Sequence, residues 1–485
     1  MTETLLDENV TSEQSSQYID REFDVTVLEG TKSLHLDIQV NQPIWLTCMI
    51  YDTEGNLRGQ LLRAGASGSL LIHEQAEYSS PYTNSGTIQP GNWMVNLTIL
   101  KREPMAANEE WCHMKVQSNS FEKNEAKPDA LLWQKKQDTR LSLEGFDSHQ
   151  VFQQEKKWYK GDFHTHTIYS DGEMTREENI EMANKQSLDF FVATDHNIIP
   201  TSWYDSSNIL VIPGTEVTST LGHFNIINLN TSPFVKNRIR DMYDEKGTNE
   251  IIAQDYGDAI VSINHPFLKG CPWIYRDTNM DNIDTIEIIN DPTYPDNLEA
   301  IEHALTAWNL LLNDGYKITG IGGSDSHLRP DDHYDGSSEP SLIGDPGTYV
   351  YCDELTASNL MNSVRKGYVT VSRGGFISIT DGECLPGETS NLCEGKVFAE
   401  VDTDDNIYIE WIVDGEKVKT SKTKSDSYSF DFNESTYHWV RVDIRYPDGR
   451  LYGFTNPIYF GKKQPKIKVW DEILQKMGIK VPVEV

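Results

Sequence analysis

The sequence contains little cysteine and no long apolar run. Its six cysteines are scattered along 485 residues and form no Cys-x-x-Cys pair, which is typical of reduced, packed thiols rather than of a disulfide framework. No stretch of about eighteen consecutive apolar residues occurs, so we expect no membrane span. The first residues, MTETLLDENV, combine no basic segment with an apolar one and do not resemble a signal peptide. We therefore expect a cytoplasmic protein.

Basic residues are also scarce. The 42 lysines and arginines are outnumbered by 75 aspartates and glutamates, which gives a formal net charge of −33. So acidic a surface repels nucleic acid and anionic membranes, and we expect neither as a partner. Its simplest role is solubility, and a second possible role is to concentrate divalent cations. The sequence leaves the oligomeric state open.

Several catalytic motifs are missing as well. The chain has no Ser-His-Asp elbow, no P-loop and no G-x-G-x-x-G fingerprint. Covalent serine catalysis and nucleotide-dependent chemistry are therefore disfavoured.

The periodicity of the chain predicts an α/β region between two β regions. Residues 21–101 and 378–461 carry short strands separated by Gly, Asn, Asp and Pro turns, and each predicts a small β-sandwich domain. Residues 158–377 alternate strands with helices, which indicates parallel α/β architecture. Three segments are predicted to lie outside these domains: a disordered tail (residues 1–20), a connector (residues 102–157) and a C-terminal tail with a short amphipathic helix in VWDEILQKM (residues 462–485).

Two histidines stand two positions apart in GDFHTHTIYSDG, residues 161–172. On a strand, His164 and His166 face the same side, and Asp171 follows five residues after His166 in a turn-like Ser-Asp-Gly. The motif SDSH repeats this spacing with Asp325 and His327. Both motifs therefore direct polar side chains towards one point.

Other candidate ligands follow further apolar strands of the same region, such as FFVAT before DHN and AIVSI before NHP. In a parallel α/β barrel the carboxyl ends of the strands meet at one face, so groups distant in sequence converge there. Taken singly, a histidine after a strand is more often a hydrogen-bonded structural residue, but here the motifs occur in order. Nine groups form the candidate set: His164, His166, Asp171, His196, Glu216, His223, His265, Asp325 and His327.

Neutral imidazoles and carboxylates are ligands for Zn, Mn and Fe. Nine such groups exceed what one tetrahedral ion requires. The set therefore predicts two or three divalent ions bridged by a carboxylate.

The motifs GDFHTHTIYSDG, DFFVATDHN, PGTEVTSTLGHFN, VSINHP and GIGGSDSH resemble the PHP (polymerase and histidinol phosphatase) superfamily. Their spacing and the flanking β regions are most similar to its CehA/McbA branch of metallohydrolases. The resemblance covers about residues 158–375 and extends weakly to the segment TNPIYF. It implies an α/β fold, a distorted (β/α)7 PHP barrel flanked by N-terminal and C-terminal β-sandwich domains.

The resemblance also implies how the nine groups share the ions. Glu216 would bridge two ions, and many members of the superfamily have a histidine where Asp171 stands, which leaves the occupancy of the third position open. The three implied ligand sets are His164, His166, Glu216 and Asp325; Glu216, His223 and His265; and Asp171, His196 and His327.

A cluster of this kind predicts hydrolysis by a metal-bridging hydroxide held at Glu216, which attacks phosphorus or a carbonyl carbon while the ions stabilise the negative charge that develops. The first interpretation is a phosphoesterase acting on a small phosphorylated molecule. Its candidate phosphate-binding cations are Arg373, Arg329 and Lys269.

Two alternatives remain open from the sequence. The first is a carboxylic ester, amide or carbamate hydrolase on the same metal site, which follows from the CehA/McbA likeness. The second is a non-catalytic glycan- or protein-binding protein, in which Trp45 and Trp93 would form a sugar platform. The candidates for the apolar pocket of the carbonyl hydrolase are Trp203, Phe267, Trp273 and Tyr275.

Overall fold

A computed structural model describes residues 2–119, 130–134, 140–206, 208–433 and 435–480. The predicted connector and the predicted C-terminal tail lie partly outside these residues. Within them, the buried hydrophobic side chains form three clusters. The largest belongs mainly to the central α/β region, and the other two lie in the β structure on either side.

The N-terminal part of the chain forms two antiparallel sheets of four strands, with the orders β1-β8-β3-β6 and β2-β7-β4-β5. Inward side chains of both sheets, among them Leu36, Trp93 and Trp111, share one core, which is the packing of a β-sandwich. The eight strands are β1 Thr2–Thr11, β2 Ser16–Val27, β3 Ser33–Gln39, β4 Trp45–Tyr51, β5 Leu57–Ala64, β6 Gly68–His73, β7 Gly91–Met105 and β8 Glu110–Asn119.

The prediction that residues 1–20 are disordered is wrong. Strand β1 pairs with β8 along most of its length, and Val10 packs into the sandwich core at 1% exposure. Most other side chains of β1 are exposed, because it is an edge strand, and this accounts for its polar sequence. Its partner β8 lies inside the segment predicted as a connector, so the pairing was not evident from the sequence.

Among the described residues, the central region contains eleven strands and four α-helices. Helix α1 begins with a capping box between Thr175 and Glu178, and α3 ends at Gly315, whose φ of 106° is in the left-handed region. The elements are β9 Ala130–Leu132, β10 Lys157–Asp162, α1 Arg176–Lys185, β11 Phe190–Ala193, β12 Ser202–Tyr204, β13 Leu210–Ser219, β14 Gly222–Ile227, α2 Glu245–Ile252, β15 Ile260–Ile263, β16 Thr285–Asn290, α3 Asn297–Asp314, β17 Thr319–Gly323, β18 Gly347–Cys352, α4 Ala357–Arg365 and β19 Val369–Ser372.

The regular strand–helix alternation of a (β/α)7 barrel is not observed in the described residues, and the fold is mixed α/β. The strands follow the order β17-β16-β15-β14-β13-β11-β10-β18-β19. Strand β14 runs antiparallel to both its neighbours, β13 and β15. Only two residues separate β13 from β14, a connection that antiparallel strands allow and parallel strands do not. No crossover helix is therefore needed there.

The C-terminal β region continues the central sheet, because β27 pairs with β19. The sheet runs on through β27-β26-β23-β24, and the sheet β20-β22-β25 packs against it around Val397, Trp411 and Val442. The strands are β20 Ile377–Thr380, β21 Thr389–Ser390, β22 Glu394–Val401, β23 Tyr408–Val413, β24 Glu416–Ser421, β25 Ser425–Asp431, β26 His438–Arg445, β27 Leu451–Thr455 and β28 Ile458–Phe460.

One further helix, α5 (Trp470–Met477), lies where the amphipathic helix was predicted. It buries Trp470, Ile473 and Leu474 and contacts α3. Among the helices that the structure describes, none is long and apolar enough to cross a membrane.

The N-terminal sandwich packs directly on the segment that follows His196. The side chain of Gln60 donates to the carbonyl of Ile199 and accepts from its N–H, each at 3.2 Å. The N–H of Thr201 donates to the carbonyl of Pro81 at 2.7 Å. These bonds connect the sandwich to the end of a central strand where a candidate ligand stands.

We expect Gln60→Ala to lower stability more than an ordinary surface change. It leaves the buried N–H and C=O of Ile199 without partners, and each such group costs about 1–3 kcal/mol. Gln39→Ala is the control, because Gln39 is exposed and should change the free energy of unfolding by less than about 0.5 kcal/mol. Urea denaturation measures both, and equal midpoints for the two variants would contradict the role of Gln60.

Candidate metal centre

The nine candidate ligands stand at or near the ends of neighbouring central strands. His164 and His166 follow β10, His196 follows β11 and His265 follows β15, while Asp325 and His327 follow β17. Glu216 lies inside β13, and His223 is the second residue of β14. Parallel bridges join Thr165 to Ser326 and His196 to Glu216. The ends of β10 and β17 are thereby held side by side.

The backbone is strained at three of these strand ends. Asn197, His265 and Asp325 have φ values of 57°, 24° and 48°, in a region that residues with a Cβ rarely adopt. Each such residue costs roughly 1–3 kcal/mol and persists where the surrounding structure holds it. At His265 and Asp325, the strained residue is itself a candidate ligand.

Glu216 is the centre of the cluster. Its side chain is fully buried, and its two oxygens face different imidazoles. The amide of Asn264 donates to Oε1 at 2.9 Å. The nearest ring nitrogens are His164 Nε2 at 3.3 Å, His223 Nδ1 at 3.2 Å and His265 Nε2 at 3.3 Å from Oε1, and His166 Nε2 at 3.5 Å and His196 Nδ1 at 2.8 Å from Oε2.

The other two carboxylates extend the cluster. Oδ1 of Asp325 lies 3.2 Å from Nε2 of His164 and 2.9 Å from Nε2 of His166. Oδ1 of Asp171 lies 3.3 Å from Nε2 of His196 and 3.2 Å from Nε2 of His327. The structure therefore brings all nine predicted ligands into one connected group.

Among the described residues, four sets each offer one ligand atom per residue within 4.8 Å of the others, and one of these sets adds Cys271 to members of the group. The first has the composition implied for the first ion. The second contains the three residues implied for the third ion, together with His166. The structure does not group Glu216, His223 and His265 in this way. The sets are His164, His166, Glu216 and Asp325; His166, Asp171, His196 and His327; His196, Glu216 and His223; and His223, His265 and Cys271.

Divalent ions fit this arrangement. Several buried ligand atoms lie 2.8 to 4.0 Å from a carboxylate oxygen or an imidazole nitrogen without making a hydrogen bond of good geometry: His164 Nε2, His166 Nδ1 and Nε2, Asp171 Oδ1 and Glu216 Oε2. A buried polar atom without a partner is costly, by about 1–3 kcal/mol each. Imidazole nitrogens and carboxylate oxygens that converge in this way are the donors that Zn, Mn and Fe ions take in proteins.

The electrostatics of the cluster are set by burial and by mutual compensation. Burial alone would raise the pKa of Glu216, but His164 and His196 hold it well below its usual range. Burial lowers the pKa of His166 to about 4, helped by the neighbouring His327 and His196. Burial opposes protonation of His327 too, yet Asp171 and Asp325 raise its pKa to about 9. Without ions, imidazolium groups must balance the carboxylates, a role that divalent cations would take over.

Sequence reasoning missed Glu287, which supports two ligands from β16. Its Oε1 lies 3.1 Å from Nδ1 of His164, and its Oε2 accepts from the N–H of His265 at 2.9 Å. A carboxylate behind a ligating imidazole fixes the orientation of the ring. The only signal in the sequence is an acidic residue inside the apolar run DTIEIIN.

Asp195 was also missed, and it holds the loop between His166 and Asp171. Its carboxylate accepts from the N–H and hydroxyl of Thr167 at 2.8 and 2.7 Å, and from the hydroxyl of Ser170 at 2.6 Å. The hydroxyl of Tyr82, from the N-terminal sandwich, donates to the same carboxylate.

The sandwich also contributes an aromatic side chain to the site. The half-buried ring of Trp45, in β4, lies edge-on to the ring of His196 with centroids 5.0 Å apart. Trp93 is only 1% exposed in the sandwich core, so the two tryptophans do not form the sugar platform that the binding alternative requires.

The three predicted phosphate-binding cations have different surroundings. Arg373 is 6% exposed and is already paired with Asp345 and Glu339. Arg329 is half-exposed, with a weak contact to Glu178 at 3.4 Å. Lys269 is exposed in the loop after β15. Arg373 is therefore committed to structure, while the side chains of Arg329 and Lys269 are accessible.

Three of the four aromatic residues proposed for an apolar pocket are packing residues. Trp203, Trp273 and Tyr275 are at most 1% exposed, so a substrate cannot reach them in this conformation. Phe267 is partly buried and packs on the edge of the core, with its ring 5.7 Å from that of His303.

No family model and no curated protein matches the chain. Among solved structures, it is similar to a two-domain protein from Bacteroides vulgatus that contains a predicted PHP-like metal-dependent phosphoesterase, at 18% identity over 62% of this chain and 96% of that one, with a TM-score of 0.35. It is also similar to a predicted metal-dependent phosphoesterase from Bifidobacterium adolescentis, at 14% identity over 39% and 95%, with a TM-score of 0.22. At these scores the functional argument rests on the centre itself.

We expect the metal-free protein to lose stability as the pH rises. The pKa of His327 is about 9 when folded and about 6.5 in an unfolded chain. Its ion pair with Asp171 therefore contributes stability that is fully present below about pH 6.5 and is lost as the pH rises through about 9. Urea midpoints of chelator-treated protein between these values measure the loss.

The matched variants for this measurement are His327→Gln and His149→Gln. The first should flatten the alkaline decline, whereas the second, at an exposed histidine, should leave it unchanged. An equal decline in all three proteins would contradict the role assigned to His327.

For Arg373→Met we expect lower stability without a specific effect on substrate affinity. The change leaves Asp345 without its bidentate partner, which costs about 3 kcal/mol where the pair is buried. Arg329→Met, at an exposed position, should cost less than about 0.5 kcal/mol. Urea denaturation and KM with one chromogenic substrate separate the two effects, and a raised KM at unchanged stability would place Arg373 in substrate binding instead.

Proposed function

We propose that this chain is a metal-dependent hydrolase of small molecules, with two or three divalent Zn, Mn or Fe ions in the centre. The observation that carries the proposal is the convergence of six imidazoles and three carboxylates in one cluster, with several of their buried ligand atoms making no hydrogen bond of good geometry. A structural hydrogen-bond network would satisfy these atoms. The likeness to the CehA/McbA branch is a prediction of the sequence motifs and is not needed for this argument.

The chain's own residues determine how a substrate reaches the centre. The side chains of His164, His166 and Glu216 are fully buried, whereas those of Asp171 and His327 are 25% and 24% exposed. A substrate therefore approaches from the side of Asp171 and His327. Bound divalent ions would supply Lewis acidity and a nucleophilic hydroxide at neutral pH.

Glu216 and its supports set the positions of the ligands during the reaction. Its two oxygens face different imidazoles, which supports the proposal that Glu216 would contribute to holding more than one ion. Asn264 and Glu287 hold Glu216, His164 and His265 through hydrogen bonds of 2.9 to 3.1 Å. A rigid ligand frame of this kind stabilises charge as it develops, because it needs little reorganisation.

A phosphate ester of a small molecule is the first substrate class. Its oxygens would bind divalent ions. The candidates for additional positive charge are Lys269 and Arg329, which have accessible side chains and lie close to His265 and His327 in the sequence. The net charge of −33 makes nucleic acid and anionic membranes poor partners.

Ester, amide or carbamate hydrolysis is the second candidate, and a specific observation favours it. No described lysine or arginine forms an ion pair with Asp171, Glu216 or Asp325 in the part of the chain that the structure covers, while the ring of Trp45 lies against His196. An apolar wall without a fixed cation suits a neutral carbonyl substrate better than a phosphate.

The test is metal content by elemental analysis, followed by hydrolysis of p-nitrophenyl phosphate and p-nitrophenyl acetate by Zn- or Mn-loaded protein. We expect two or three ions per chain and release of p-nitrophenol. His164→Gln should lower kcat/KM by about 100-fold or more, because metal ions contribute several kcal/mol to such reactions. Phosphate turnover supports the first substrate class, and acetate turnover alone supports the second.

The control is His149→Gln, which changes an exposed histidine outside the centre and should retain activity and metal. Circular dichroism establishes that both variants are folded. Full activity in folded His164→Gln, or a folded wild-type protein that binds no metal and hydrolyses neither ester, would overturn the proposal and favour the binding alternative.

A further inference from the structure

Cys271 lies beside the metal centre, outside the nine residues that the sequence motifs identify. Its Sγ is 3.7 Å from Nδ1 of His265. One ligand atom each from His223, His265 and Cys271 lie within 4.8 Å of one another. The thiol is therefore part of a three-residue cluster rather than an isolated cysteine.

The fold fixes the position of this thiol. In the loop after β15, the N–H of Leu268 donates to the carbonyl of His265 at 3.0 Å, and the N–H of Cys271 donates to that of Leu268 at 3.1 Å. The N–H of Trp273 then donates to the carbonyl of Pro266 at 2.9 Å. The loop is thus folded back on the residue that it follows, with Cys271 held over the imidazole.

Trp273 anchors the far end of the same loop. Its side chain is 1% exposed, and it packs so closely on Gly222 that a Cβ there would lie 2.8 Å from its ring. Because Gly222 directly precedes His223, the anchor of the loop and the second imidazole of the cluster are joined in one packed unit. The three ligand atoms are therefore placed by rigid structure.

Four of the five other cysteines have surroundings that differ from those of Cys271. Cys48 and Cys112 are packed in the sandwich core, and Cys352 donates to the hydroxyl of Ser363 at 3.4 Å. Cys384 lies in the C-terminal β region, where its N–H donates to Asp381 at 2.7 Å. Among the described residues, only Cys271 belongs to a group of potential metal ligands.

Two roles fit a thiol at this position. As a hydrogen-bond partner alone, Cys271 would orient the ring of His265. The position of His223 within reach of the same sulfur favours direct ligation, because imidazole nitrogen and thiolate sulfur are both ligands that Zn takes in proteins. Oε1 of Glu216 lies 3.2 and 3.3 Å from the two imidazoles, and Cys271 adds a thiol donor on the Nδ1 side of His265.

We propose that Cys271 is a thiolate ligand, together with His223 and His265, for a divalent ion at the edge of the centre. This inference rests on the proposed metal centre but not on its hydrolytic activity. On binding, the sulfur–metal bond forms and the thiol proton leaves to solvent, with no change of oxidation state. A thiolate makes this position favour Zn²⁺ or Co²⁺ over Mn²⁺ and Mg²⁺, which prefer oxygen ligands.

Cobalt-substituted protein tests the proposal directly, since thiolate ligation to Co²⁺ produces a near-ultraviolet charge-transfer band that imidazole and carboxylate ligation do not. We expect this band in the wild-type chain and in Cys384→Ser, the matched control. It should be absent from Cys271→Ser, whose change is nearly isosteric and whose fold is checked by circular dichroism. Bound Co²⁺ without the band in the wild-type chain, or a band that persists in Cys271→Ser, would overturn the proposal.

A second measurement needs no variant. Zn²⁺ should slow alkylation of Cys271 by iodoacetamide at least about tenfold, in line with occupancy of a site whose ion binds the thiolate, while the rate at Cys384 stays constant. Equal rates at Cys271 with and without Zn²⁺ would contradict ligation. Absence of any bound Co²⁺ would overturn both this inference and the proposed function, whereas Co²⁺ bound without a thiolate band would overturn this inference alone.

Discussion

The structure of the centre depends on one constraint: the carboxylate of Glu216 is fully buried and must be compensated. A buried carboxylate without a counter-charge is too costly to be retained. Five imidazoles lie within 3.5 Å of its oxygens, and they come from the ends of β10, β11 and β15 and from β14. The strand order of the central sheet is what brings these segments together, so the mixed parallel and antiparallel topology is inseparable from the site.

The N-terminal sandwich supplies hydrogen-bond partners to buried segments beside the centre. Polar loops at the ends of strands cannot be buried unless their backbone groups find partners. Gln60 satisfies both backbone groups of Ile199, and Tyr82 donates to Asp195, which organises the loop that carries Asp171. The sandwich therefore covers the histidine-bearing segments and supplies the hydrogen-bond partners that their buried groups need. A free-standing central region would expose these groups to water.

The sequence predicted which residues meet at the candidate site more completely than it predicted the fold. Spacing of two residues on a strand is a local property, so the motif itself is enough to group His164 with His166. The support by Glu287 depends on β16 lying beside β15, and the position of Cys271 depends on how a loop folds back, neither of which leaves a local pattern. The same limit explains why strand β1 was not predicted, because its partner β8 lies about a hundred residues later in the chain. The antiparallel direction of β14 was not predicted either; its two-residue connection to β13 allows this direction without a helix.

Exposure rises from the inside of the centre outwards, and this separates two kinds of residue. The side chains of His164, His166 and Glu216 are enclosed, whereas those of Asp171 and His327 are partly exposed to solvent. If the proposed function holds, a substrate would meet the centre at these exposed residues. The ring of Trp45 packs against His196, and Lys269 is exposed in the loop after β15. The exposed side chains of Lys269 and Arg329 lie outside the nine candidate ligands, as is usual where rigid elements hold the reactive groups and loops carry the variable ones.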